Sequence, residues 1–174
     1  LNEAGFEFRI VSPRVTEKFD VDLTLRELTA WNALRKGLEI ARKHPNDVVL
    51  AADTLVALDG EIIGKPRDLA DAQKILRRLS GRTHEVCSAV FIGHLARARS
   101  TSFCEISRVR FHSLTDRKID NYFSKVDPLD KAGAYAAQGH GRAIIAGVIG
   151  SFSNVIGLPM EKTIAALHEF GIRP

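Results

Sequence analysis

The stretch AADTLVALDGEIIGKPRDLADAQKILRRLSGRTHEVCSAV, Ala51 to Val90, decides the fold class. It opens on the end of a short apolar run, VVLAA (Val48 to Ala52), which reads as a buried strand ending in Asp53-Thr54. Leu55 to Gly64 carries Asp59-Gly60 between two apolar runs, the pattern of a β-hairpin. Asp68 is placed to cap a helix whose apolar stripe is Leu69, Ala72, Ile75, Leu76 and Leu79. Gly81 stands where a C-terminal glycine belongs. HEVCSAVFIG then begins another strand. Strand, hairpin, helix and strand in this order exclude an all-helical chain. They predict an α/β fold, a mixed sheet with flanking helices, over strict doubly wound alternation.

Upstream, FEFRIV (Phe6 to Val11) alternates apolar and polar residues and predicts a half-buried strand. Thr24 to Glu27 reads T-L-R-E, a capping box, and predicts a helix to about Arg42 that His44-Pro45-Asn46-Asp47 stops. Downstream, SFCEISRVRFH predicts a long strand with Arg108 and Arg110 on one solvated face. Thr115 opens a helix through Phe123, which Asp127-Pro128 breaks. Ala143 to Ile149 predicts a strand, and Pro159 the first turn of a final helix ending near Gly171.

The 174 residues suit one domain, 1–174, with a bilobed form as the alternative, and 45% apolar with 26% charged is ordinary for a folded chain. No apolar run approaches the ~20 residues that span a bilayer. Lys+Arg 25 against Asp+Glu 21 leaves +4, spread along the chain, with a pI near 9.3. That balance suits a small anionic ligand, and a nucleic-acid binder would show a denser basic patch. Cys87 and Cys104 form no CxxC pair and no zinc spacing with histidine, so a reducing cytoplasm with two buried thiols is expected. The six histidines form no metal-binding spacing. The single methionine is Met160, so Leu1 is not an ordinary initiator, and either a processed N-terminus or further upstream sequence is expected.

Three places could carry chemistry. Asp53, at the expected carboxyl end of a strand, suits a divalent cation or a proton taken from water, and a turn cap explains it equally well. Lys65 in Gly64-Lys65-Pro66 is held by its neighbours and suits a phosphate oxygen, against the plainer reading of a solvated lysine. Pro66 excludes a Walker loop. Asp130 to Tyr135, followed by Gln138-Gly139-His140-Gly141, offers close backbone approach, and the Gln138 amide matches a pyrimidine edge. Ile144 breaks the dinucleotide fingerprint there, and a glycine-rich connection is the alternative. Gly150 to Pro159 reads as a structural turn sooner than a ligand loop.

Ala51 to Val90, together with SLTDRKIDNYF, DKAGAYAAQGHG and GSFSNVIGLPMEK in the same order, resembles the Maf family of nucleoside triphosphate pyrophosphatases from Phe6 onward. The resemblance implies a two-lobed fold around a cleft, similar to the inosine triphosphate pyrophosphatases. It implies hydrolysis of a nucleoside triphosphate between the α- and β-phosphates, with a divalent cation, Mg²⁺ first and Mn²⁺ or Co²⁺ as alternatives. Asp53 then corresponds to the general base and a metal ligand, Glu17 to a metal-supporting carboxylate, and Lys36 and Lys65 to phosphate-binding lysines. Thr54 and Gln138 fit the branch acting on dTTP and UTP, as against the branch acting on 7-methyl-GTP. A cytoplasmic homodimer, with no nucleic acid and no membrane as partner, is also implied.

One departure stands out. The family's first strand leads into a loop close to SxSPRRxELL that grips phosphate, and LNEAGFEF matches only after it. Ser12-Pro13-Arg14 lies beyond FEFRIV and is not that element. Residues 1–174 are therefore expected to lack the first strand and phosphate loop. Either the natural chain is longer, or it is an impaired nucleotide-binding member tied to cell-division control.

Overall fold

The structure is a computed structural model and describes residues 1–16 and 22–174. Five helices and five strands follow in the order α1 (Leu25–Lys43), β1 (Val49–Leu58), β2 (Glu61–Ile63), α2 (Leu69–Leu79), β3 (Thr83–His94), β4 (Arg99–Phe111), α3 (Asp116–Phe123), β5 (Ile145–Ile149), α4 (Phe152–Ile156) and α5 (Met160–Glu169) among the described residues. The strands form one sheet in the order β2-β1-β3-β4-β5. β1 and β2 pair antiparallel with Leu58 opposite Glu61, and β4 and β5 pair antiparallel with a register shift between Arg110 and Phe111. The expected α/β architecture is present.

The chain divides into two compact units. One comprises Leu1–Asp53, Ser88–Glu105 and Gly157–Pro174, and the other Thr54–Cys87 and Ile106–Ile156. The first unit buries Phe6, Val90, Ile92, Leu167 and Phe170 around a common core, with Ile40, Ala41 and Val49 as a smaller cluster. The second buries a larger set that includes Leu76, Leu79, Val109, Phe111, Ile119 and Ile144. Each core is built from sheet faces and helix stripes, as apolar burial requires.

Local hydrogen bonds fix the element ends. Thr24 caps α1 with both halves of the capping box, its hydroxyl accepting from Glu27 N and Glu27 accepting from Thr24 N. Thr24→Ala is expected to cost about 1 kcal/mol, read as a lowered urea midpoint with the α1 end fraying in hydrogen exchange. Asp68 Oδ1 accepts from Asp71 N at 2.7 Å at the start of α2, and Thr115 accepts from Lys118 N at the start of α3. Asp59 and Gly60 both take positive φ, 53° and 83°, which is the turn a two-residue hairpin needs.

Four expectations are corrected. Phe6 to Val11 is not a strand. Phe6 is buried in its unit's core, but the segment pairs with no strand among the described residues, and Ile10 is 85% exposed. Alternation alone makes no ladder without a neighbour to bond. Next, the strand expected to end at Asp53-Thr54 runs on to Leu58, so Asp53 is its fifth residue of ten. The carboxylate sits mid-strand, where Lys36 meets it, and β1 runs on to pair with β2 through Val56, Ala57 and Leu58. Third, Phe152–Ile156 forms a short helix within the segment expected to be a turn. Last, Cys87 is buried as expected, but Cys104 is only half-buried, and its Sγ accepts from Arg26. Arg108 and Arg110 are exposed on β4 as expected. Among the described residues no helix is long and apolar enough to cross a membrane.

Candidate active site

In the first unit, α1 turns Leu28, Thr29, Asn32, Ala33, Gly37, Ile40 and Ala41 inward. Lys36 lies one turn from both Asn32 and Ile40 on that side, so its stem runs along the packed face and its ammonium reaches the sheet. There Lys36 Nζ donates to Asp53 Oδ1 at 2.5 Å. Asp53 is 6% exposed. Burying a carboxylate is costly unless it is paired and hydrogen-bonded, and the lysine meets that cost. The same unit holds a cleft of about 990 Å³, with Phe6, Phe8, Ile10, Lys36 and Ile40 among its lining. Its size is at the upper end of small-molecule sites.

In the second unit, Lys65 is exposed and follows Gly64, whose carbonyl accepts from Gly133 N at 3.1 Å. This bond ties the lysine's loop to the segment that leads to Gln138. Gly133 has φ 73°, and a Cβ built on it would meet Val56 Cγ2 at 3.1 Å and Tyr135 Cε1 at 3.2 Å. Only glycine fits the turn and the approach. Val56 shares a face of β1 with Thr54 by strand alternation, so the segment packs along the face that carries Thr54. Lys131 hydrogen-bonds the Asp130 carboxylate and holds it below the ordinary carboxylate range, and the Lys65 charge adds to the effect. Gln138 precedes a 3₁₀ turn, Gly139–Ala143, and its exposed side chain does not cap that turn. The amide is therefore not used in capping the turn.

A family model described as "Maf-like protein" matches residues 1–170. The chain belongs to the Maf family. A Bacillus pumilus protein named dTTP/UTP pyrophosphatase is 39% identical over 174 residues, covering all of this chain and 91% of its own. An Akkermansia muciniphila protein of the same name is 40% identical over 173 residues, covering 99% of this chain and 90% of its own. Over 140 residues, 79% of this chain and 72% of the relative, the identity to an Anaeromyxobacter dehalogenans protein of that name reaches 49%.

For this Maf-family chain, the geometry brings Lys36 to Asp53 in one unit. In the other it brings Lys65 to the segment bearing Gln138, with Thr54 on the adjoining strand face. The Glu17 expectation falls on residues 17–21, outside the described residues. Among the described residues no three His, Cys, Asp or Glu side chains group to hold a metal.

Sequence reasoning missed two buried polar groups in the second unit. Asn154, fully buried, donates from Nδ2 to Val86 O at 3.1 Å and to Ser107 Oγ at 2.9 Å, and Ser107 Oγ donates to Ser151 O at 2.9 Å. This network pins the Gly150–Gly157 segment and favours its structural reading. His84, passed over because its spacing matched no metal motif, is 1% exposed, with Nε2 2.8 Å from Tyr135 Oη. Burial pushes its imidazole down from 6.5 to about 4. Between those values the unfolded chain binds a proton that the folded chain refuses, so stability falls as pH drops from about 6.5 to about 4 and levels off below. Urea midpoints at pH 7 and pH 5 check this. The drop is expected to be smaller in His84→Gln, which has no imidazole to protonate.

Proposed function

We propose that this protein hydrolyses dTTP and UTP between the α- and β-phosphates, giving a nucleoside monophosphate and pyrophosphate. The observation that carries the proposal is the buried Asp53 carboxylate fixed by Lys36 on the middle of β1. A neighbouring ammonium holds the carboxylate in one orientation, and a positioned carboxylate can serve as a general base. The names of the relatives support the substrate class.

In the reaction the oxygen of a water bonds to the α-phosphorus as the bond to the bridging oxygen of the β-phosphate breaks. Asp53 accepts the proton that the water loses, and the electron pair of the broken bond leaves with pyrophosphate. Lys36 orients the carboxylate, and the phosphate-binding role that the family resemblance implies for its ammonium is kept in the proposal. Lys65 neutralises phosphate charge, which spreads over the oxygens as the bond breaks. Gln138 offers a donor and an acceptor to the base, a pair of groups that matches a pyrimidine edge. A divalent cation belongs to the proposal. Magnesium carried on substrate phosphates needs only one or two protein carboxylates, and Asp53 supplies one, so the donor set fits. When bound, the cation would polarise the phosphate and stabilise the developing charge.

A cytoplasmic homodimer is carried with the proposal on the family resemblance, and a buried Cys87 with a half-buried Cys104 suits a reducing compartment. Pyrophosphate release with Mg²⁺ from dTTP, UTP and a purine triphosphate tests the activity. Release from the two pyrimidines ahead of the purine is expected. Tight calorimetric binding of UTP with no release at high protein concentration would instead support nucleotide binding without catalysis.

A further inference from the structure

The ring cluster in the second unit contains more than packing requires. His84 on β3, Phe111 on β4 and Tyr135 meet edge to face, with centroids 4.9 Å apart for His84–Phe111, 4.9 Å for Phe111–Tyr135 and 5.4 Å for His84–Tyr135. A phenylalanine at position 84 would fill this space with no polar atom to satisfy. Instead an imidazole is buried, and its Nδ1 has no hydrogen-bond partner among the described residues. An unsatisfied buried ring nitrogen is destabilising. What the histidine does that phenylalanine cannot is hold the Tyr135 hydroxyl, 2.8 Å from Nε2.

Tyr135 lies inside the segment that ends at Gln138. Its neighbour Ala134 has φ 61°, a left-handed conformation that residues with a Cβ rarely adopt. Such a conformation persists only where the surroundings over-determine it. Three anchors do so here. Gly133 N donates to Gly64 O, the Tyr122 hydroxyl donates to Ala136 O at 3.2 Å and accepts from Ala136 N at 2.9 Å, and Tyr135 is gripped by His84. The His84 anchor is the one made through a side chain of the strained stretch itself.

We infer that His84 is a positioning residue: by holding the Tyr135 hydroxyl it fixes the backbone that presents Gln138, and so sets the preference for pyrimidine over purine triphosphates. The link to base preference rests on the proposed function. The link to backbone order does not.

Three variants test it: His84→Phe, which keeps the ring volume, Tyr135→Phe, which removes one oxygen, and His84→Gln, which places an amide near the Nε2 position. In hydrogen–deuterium exchange, both phenylalanine variants are expected to speed exchange across residues 132–141, and His84→Gln to restore most of the protection. In turnover, both are expected to raise KM for UTP about fivefold, with kcat and the purine KM little changed. The double variant should be no worse than either single one, because both remove the same bond. Unchanged exchange in Tyr135→Phe overturns the inference whatever the activity, and this holds even if His84→Phe fails to fold. An equal loss of kcat on every substrate, with no KM split, also overturns it. If wild type shows no pyrimidine preference, or Gln138→Ala leaves the preference intact, the base-binding reading fails, while altered exchange would still locate the His84 anchor.

Discussion

Replacing Asp53 by Asn is expected to lower kcat for pyrophosphate release from UTP about a thousandfold. Asparagine keeps the shape of the side chain and still accepts from Lys36, but it cannot take a proton from water. Lys36 bonds Asp53 Oδ1 at 2.5 Å in the wild type, so the substitution also removes the charge that balances the ammonium. Losing one member of a buried pair destabilises a fold. Activity is therefore compared well below the variant's unfolding midpoint, with circular dichroism as the check on folding. Lys36→Gln is expected to be milder, since the carboxylate survives and only its orientation is loosened. A kcat for Asp53→Asn within tenfold of wild type would remove the residue from the chemistry.

Gly37→Ala should destabilise the protein although alanine is the better helix former. Helix propensity favours the change by about 1 kcal/mol. Packing opposes it more strongly. A Cβ at Gly37 would come within 2.1 Å of Cδ1 and 2.8 Å of Cε1 on the Phe91 ring. The ring has no room to retreat, because Phe91 is 3% exposed and a Cβ at Gly93 would already lie 2.6 Å from its Cζ. α1 and β3 use their glycines to seat one aromatic ring. Overpacking of this kind is expected to outweigh propensity by about 2 kcal/mol, lowering the thermal midpoint by about 5 °C. Adding Phe91→Leu to Gly37→Ala should recover part of the loss, because the smaller side chain vacates the contact. An unchanged or raised midpoint in Gly37→Ala would contradict the packing.

These two sites show where the sequence was legible and where it was not. Thr24, Asp68 and Thr115 declared their helices because a cap and its partner lie three residues apart. Asp59-Gly60 declared its hairpin because the turn's positive φ values are a local demand. Asp53 was singled out as a candidate and placed at a strand end, because an apolar-run criterion stops at the first charge, whereas β1 runs on to Leu58. Its partner Lys36 lies 17 residues upstream on another element, and no local pattern shows that the two meet. Gly37 reads as a weak point in a helix until Phe91 is placed against it. His84 matched no motif because its partner is 51 residues away. The blocks around Lys65 and Gln138 were visible in the residues themselves, and the family resemblance gave them their expected roles. The bond from Gly133 to Gly64 that ties them together was visible only in the fold.

Hydrolysis of UTP in ¹⁸O-enriched water with Mg²⁺ tests the proposed reaction most directly. Attack of water on the α-phosphorus places the heavy oxygen in UMP and leaves the pyrophosphate unlabelled. Label in pyrophosphate or in orthophosphate, or no turnover at all, would contradict it.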